Sequence, residues 1–210
     1  QQGEKIVVLN GFYNEQVHIN KPIDLVALKA GDVSVVSAEG DVITFDAPAG
    51  RIYGLIVHQN GGAGNDHVAL RAQTGRLDVE ECDMCSLGGA CVSIEAGADP
   101  TLRRNRIHGG KREGVVVHGE GHIEDNRVYL NFLSGIHITA GGNPTVRKND
   151  VYENKAFGIE VSEGGVGVVR DNLVRENATA GLCVSSGANP TITNNDLVDG
   201  HGVGVQVRDG

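Results

Sequence analysis

The 210 residues carry a formal charge of −9 and a pI near 5.3, which excludes a general nucleic-acid binder, because phosphate binding needs a dense positive surface. Gly is abundant at 31, Trp is absent, and Phe and Tyr number four each. That is little aromatic bulk for a sandwich or α/β core and suits a narrow core of stacked Val, Ile and Leu. No apolar run reaches the ~18 residues of a membrane-spanning helix, so no membrane partner is expected.

The chain opens on Gln1-Gln2-Gly3-Glu4-Lys5, with neither an initiator Met nor an apolar signal core, and reads as a processed protein or a fragment of a longer one. Residues 1–74 form an irregular opening to a single domain that spans 1–210. Within them Val17, Ile19, Ile23 and Leu25 alternate with polar residues, and further strands are predicted at 33–36, 42–45 and 52–57.

From residue 75 the pattern repeats. Pro144-Thr145-Val146-Arg147-Lys148-Asn149, Gly167-Val168-Val169-Arg170-Asp171-Asn172 and Pro190-Thr191-Ile192-Thr193-Asn194-Asn195 start 23 residues apart. Earlier copies start at Gly121, Pro100 and, more weakly, Gly75. Fourteen residues after each start comes a glycine: Gly89, Gly114, Gly135, Gly158, Gly181 and Gly204. An apolar-x-apolar triplet follows, such as Ile136-His137-Ile138, the alternation of a strand with one buried face. Three short strands per ~23-residue coil cannot close a core alone, but stacked coils can, each strand pairing with its copies at ~4.8 Å. The predicted fold is all-β: a single-stranded right-handed parallel β-helix, a pectate-lyase-like solenoid of about eight coils, with regular coils over 75–210. The last strand candidate, Val203-Gly204-Val205-Gln206-Val207, has no amphipathic helix to cover it, and further coils or a cap are expected beyond Gly210 in the intact protein.

Two asparagine columns follow from the same register: Asn105, Asn126, Asn149, Asn172 and Asn195, and Asn131, Asn154 and Asn177. A side-chain amide both donates and accepts, so stacked Asn can bond along the column and satisfy turn backbone; these are read as structural ladders. Arg104, Asp125, Lys148 and Asp171 form a column of alternating charge that helps set register. Cys82 and Cys85 make a Cys-x-x-Cys with no second pair to complete a zinc site. Cys82 falls where later coils place Ile or Val, which implies a buried apolar thiol. With Cys91 and Cys183, the set reads as reduced thiols of an intracellular, cytoplasmic protein.

The Pro-Thr-Ile/Val-x-x-Asn-x-Ile/Val…Gly-Ile-x-Val pattern resembles the right-handed β-helix repeat family of carbohydrate-binding proteins and sugar hydrolases. Together with Gly11-Phe12-Tyr13…Val17-His18-Ile19…Pro22-Ile23…Leu25, it is most similar to the β-helix of the F-box-only ubiquitin-ligase subunits and of the Shc-SH2-binding proteins. That resemblance implies a recognition surface for a protein partner.

The outward positions hold the candidate chemistry. His137 and Glu160 should occupy adjacent rungs with His118 diagonal to them, a base oriented by a carboxylate; a surface cross-strand pair is the plainer reading. Glu153, Glu176 and Asp199 recur at one position of three successive coils. They read as a solvated row offset by Lys155 or Arg175, or else as a cation site or a docking stripe for a basic peptide. Few exposed aromatics are evident, whereas sugar clefts favour aromatic platforms. No His/Met/Cys cluster supports a copper-delivery role. The sequence therefore points to a non-catalytic recognition or scaffold domain binding a protein, of the ubiquitin-ligase substrate-recognition or cytoskeletal-adaptor kind, with no cofactor. The alternative is a carbohydrate-active enzyme (a polysaccharide lyase, hydrolase or epimerase), with carbohydrate as partner and Ca²⁺ as an optional cofactor.

Overall fold

A computed structural model describes residues 4–62 and 64–208. A regular coil runs through three strands, Thr145–Arg147 on a first face, Asp150–Tyr152 on a second and Phe157–Val161 on a third. Each pairs in parallel with its copies one coil before and after. The second face is a nine-stranded sheet, so the described residues stack as nine coils, against about eight expected. The first and third faces merge into one 16-stranded sheet. They merge because Ile43–Tyr53 and Leu70–Glu80 each run from the third face into the next coil's first face without a break.

The opening segment, irregular in sequence, carries the same three faces, beginning with Glu4–Val8, Gly11–Asn14 and Val17–Ile19. The strand expected over 52–57 is interrupted at Gly54, whose φ of +74° turns the chain from the first face to the second against Ala30.

The core is a set of aliphatic columns. Leu102, Ile123, Val146 and Val169 stack on the first face and Ile107, Val128, Val151 and Val174 on the second, all buried. In the last coil, Ile192 and Leu197 are only partly buried, since among the described residues no rung lies beyond them. Where the second face gives way to the third, Gly114, Gly135, Gly158 and Gly181 leave room for the next coil. A Cβ on Gly158 would lie 2.4 Å from Val174 Cγ1 and 2.8 Å from Asn177 Nδ2.

Both asparagine columns are buried ladders at coil corners. Asn149 is typical: its Oδ1 accepts from the Asn126 N–H at 3.0 Å and the Asn126 side chain at 3.1 Å. Its Nδ2 donates to Ile123 O at 2.8 Å, Arg147 O at 3.1 Å and Asn172 Oδ1 at 3.0 Å. The residue before each ladder Asn is left-handed: Arg104, Asp125, Lys148, Asp171 and Asn194 at φ 54–57°, and Leu130, Glu153 and Glu176 at 55–57°. An uncommon backbone state for non-Gly residues is thus held by the amide that follows. The alternating charge column is this corner position; Arg104 pairs along it with Glu81 and off it with Glu80, and Asp171 pairs off it with Arg170.

Two sequence assignments near residue 82 are corrected. Cys82 takes the asparagine position, not an apolar one: Asn105 Oδ1 accepts its N–H at 2.9 Å, while Val79 and Met84 align with Leu102 and Ile107. Cys91, not Gly89, stands level with Gly114, since Val92 pairs with Val115. The weak copy starting at Gly75 is two residues out of step: Asp78 pairs with Thr101, so Leu77 holds the position of Pro100 and the coil keeps the regular spacing.

Candidate functional site

Val116, His137 and Glu160 are in register on successive rungs of the third face and point outward between buried aliphatic neighbours. The expected adjacency of His137 and Glu160 holds, but each has a different partner. His137 Nε2 lies 2.8 Å from Ser162 Oγ, and Nδ1 lies 4.0 Å from Glu113 Oε1. Glu160 Oε2 instead accepts from the Ser134 hydroxyl at 2.6 Å. His118 follows Val117, which pairs with Ile138, so it stands level with Thr139.

Glu113, Ser134 and Ser162 complete the cluster. Glu113 and Ser134 each precede a repeat glycine, and the backbone there is fixed as Gly114 N–H donates to Ser134 O at 3.1 Å. Ser162 ends the strand Phe157–Val161, its N–H donating to Ile138 O at 2.9 Å. Arg112 Nε reaches Glu113 Oε2 at 3.5 Å and Arg112 Nη1 reaches Asp66 at 3.0 Å. Further along the face Arg71 binds Asp41 and Glu95, each at 2.6 Å; the hydrogen bond to Asp41 leads the effects that raise its pKa. The cluster therefore offers an imidazole, two carboxylates and two hydroxyls on neighbouring coils, a set able to move protons and to bind polyols. The sequence placed Ser162 in its column, but Glu113 escaped because it lies in the turn before the repeat glycine rather than in the strand.

The acidic row is structural in placement. Glu153, Glu176 and Asp199 are all left-handed corner residues, with φ of 55°, 55° and 51°. Arg175 donates to Glu176 Oε1 and to both Asp150 oxygens, each at 3.0 Å. Among the described residues no group of three or more His, Cys, Asp or Glu is placed to hold a metal ion. Cys82 is buried and Cys85 half-buried, and all four thiols are free. Burial pushes the Cys82 thiol up to about 12, which keeps it neutral.

The second face carries what composition did not suggest. His108, Tyr129 and Tyr152 stack at 4.8 and 4.9 Å between ring centroids, and Arg175 caps the stack 4.0 Å from the Tyr152 ring. The spacing of these four positions by 21, 23 and 23 residues was the available signal. Because both faces of Tyr129 and of Tyr152 are covered by neighbours, these rings expose edges rather than faces and offer no stacking platform for a sugar. Beside it, Asp83 Oδ1 meets His58 Nε2 and His108 Nε2, each at 3.1 Å, while Arg106 Nε donates to Oδ2 at 2.8 Å. Burial alone would raise the Asp83 carboxyl. The hydrogen bonds from both imidazoles and the Arg106 charge outweigh it and hold the group well below the ordinary carboxylate range.

The A-module of the mannuronan C-5 epimerase AlgE6 of Azotobacter vinelandii has a similar structure, with a TM-score of 0.66 and 15% identity, over 95% of this chain and 68% of that one. At that identity the likeness concerns the fold. No curated protein sequence is similar enough to count as a relative. The family described as the right handed beta helix region matches residues 35–143 and 68–210, and the chain belongs to that family.

Proposed function

We propose that this β-helix is a carbohydrate-active protein that binds a polysaccharide along its third face and performs acid–base chemistry there, with His137 as the proton-transfer group. The observation that carries this reading is the placement of His137 between Glu113 and Ser162, with Glu160 on the next rung, at a partly open outward position. An outward row on a straight solenoid meets a linear polymer at regular intervals, as rungs recur every ~4.8 Å. The epimerase with the similar fold supports a carbohydrate over a protein partner. The expected measurement is turnover or binding on a panel of uronate-containing and neutral polysaccharides, with and without Ca²⁺, read as unsaturated-product absorbance, reducing ends and C-5 configuration. Activity should fall by on the order of 100-fold or more in His137→Ala. Activity that persists in that variant would remove His137 from the chemistry.

Protein recognition, implied by the likeness to F-box-only and Shc-SH2-binding β-helices, retains one observation of its own. Leu130 and Phe132 are exposed at the corner that also carries Glu153 and Glu176. An apolar pair beside an acidic row would suit a basic amphipathic peptide. Pull-down by the intact surface, lost on Phe132→Ser, would favour it.

A further inference from the structure

We propose that Ser162, His137 and Glu113 form a nucleophile–base–carboxylate relay that hydrolyses esters, the substrate class being O-acyl groups on a polysaccharide. The proposal rests on the third face being the glycan-binding surface. The three side chains come from three successive coils. Ser162 Oγ is 2.8 Å from His137 Nε2, so the hydroxyl can donate to that nitrogen. Nδ1, the opposite nitrogen, faces Glu113 Oε1 at 4.0 Å. Use of the two ring nitrogens for nucleophile and carboxylate is the geometry that lets an imidazole take a proton while a carboxylate stabilises the resulting charge. The Glu113 contact is longer than a hydrogen bond, as catalytic contacts often are before substrate binds.

All three groups are largely enclosed between the coils. The Glu113 side chain is 11% exposed, and that of His137 is 19% exposed. Ser162 is 7% exposed at the strand end, beside the solvent-facing turn. Glu163 follows at φ +50°, so the chain turns sharply just past the hydroxyl, and Gly165 N–H fixes the turn by donating to Ser162 O at 2.8 Å. Thr139 donates to Glu163 Oε2 at 3.0 Å and ties that side chain to the neighbouring coil.

The arrangement is not a by-product of the repeat. At the positions equivalent to His137 and Ser162, the preceding coil pair has Val116 and Thr139 and the following pair has Glu160 and Ser185. Of these three coil pairs, one sets an imidazole on the strand against a hydroxyl at the next strand's end.

In the reaction, Ser162 Oγ attacks the ester carbonyl carbon as its proton passes to His137 Nε2. The tetrahedral intermediate collapses, the bond from the carbonyl carbon to the sugar oxygen breaks, and that oxygen takes the proton from His137. A water molecule, deprotonated by the same nitrogen, then attacks the acyl–Ser162 ester, releasing the carboxylic acid and restoring the hydroxyl.

The test treats the full chain with a fluorophosphonate and maps the label by tandem mass spectrometry. In parallel it measures acetate release from an O-acetylated polysaccharide and from p-nitrophenyl acetate, and glycan binding by calorimetry. The expected result is a label on Ser162. Acetate release should fall on the order of 1,000-fold in Ser162→Ala and His137→Ala. In Glu113→Gln, kcat should fall on the order of 100-fold with KM unchanged. Labelling needs no variant, so a misfolded substitution does not blunt the test. No label and no acetate release, with glycan still bound, would overturn the relay and leave the glycan surface standing. Cleavage of p-nitrophenyl acetate through Ser162 without glycan binding would overturn the polysaccharide as substrate.

Discussion

Asp83 gathers His58, His108 and Arg106 from the coils on either side of its own, so one carboxylate ties three rungs of the second face together. Its side chain is 14% exposed, and charge-assisted hydrogen bonds of this kind contribute about 2 kcal/mol. Asp83→Asn is expected to lower stability by about that amount at pH 7, read as the urea midpoint. The folded-state pKa is depressed, so the contribution is present above the unfolded pKa of ~3.9 and is lost as pH falls below it. The difference between wild type and variant should therefore shrink toward pH 3. Equal midpoints at pH 7 would show that the cluster adds nothing. A second expectation concerns the thiols. Cys82 and Cys91 are fully enclosed, and burial raises both pKa values. An aromatic disulfide reagent at pH 8 should leave both untouched until denaturant is added.

Among elements, the ladders bear most of the polar load of the interior. Removing Asn149 would strand the Ile123 carbonyl, the Asn126 N–H and the neighbouring amides in a buried corner. Asn149→Ala should cost about 3 kcal/mol. Asn195, in the last coil, is only partly buried and has no ladder partner beyond it among the described residues. Asn195→Ala should cost less than half as much, a gradient that guanidine denaturation of the two variants would check. The glycine column offers a steric counterpart. Gly158→Ala pushes a methyl into Val174 and the Asn177 amide, and overpacking of that sort costs about 1–3 kcal/mol.

At the scale of the whole molecule, a stack of parallel rungs ends in unpaired backbone wherever no further rung covers it. The strand Val203–Val207 presents Val203, Val205 and Val207 largely to solvent, and exposed apolar edges template pairing with other chains. This chain is expected to self-associate with rising concentration, seen by light scattering, and Val205→Lys should suppress it. An unchanged scattering profile in that variant would place the contact elsewhere.

The coil period, the three-strand unit, both ladders and the adjacency of His137 and Glu160 were legible in the sequence, because pairing in a β-helix repeats one spacing and every residue inherits its column from its position in the coil. The displaced roles of Cys82 and Cys91 were not, since Gly75 and Gly89 imitate the repeat two residues ahead of Leu77 and Cys91, which hold the true positions. Nor were the partners of His137. Ser162 and Glu113 reach it diagonally across coils, and such contacts depend on side-chain direction at a corner rather than on periodicity. The aromatic stack was likewise hidden from composition, since two tyrosines are few in number but continuous once rungs align them. Periodicity thus determined the architecture by itself, whereas the tertiary structure decided which outward groups touch, because chemistry across rungs is set by corners and rotamers that a repeat does not encode.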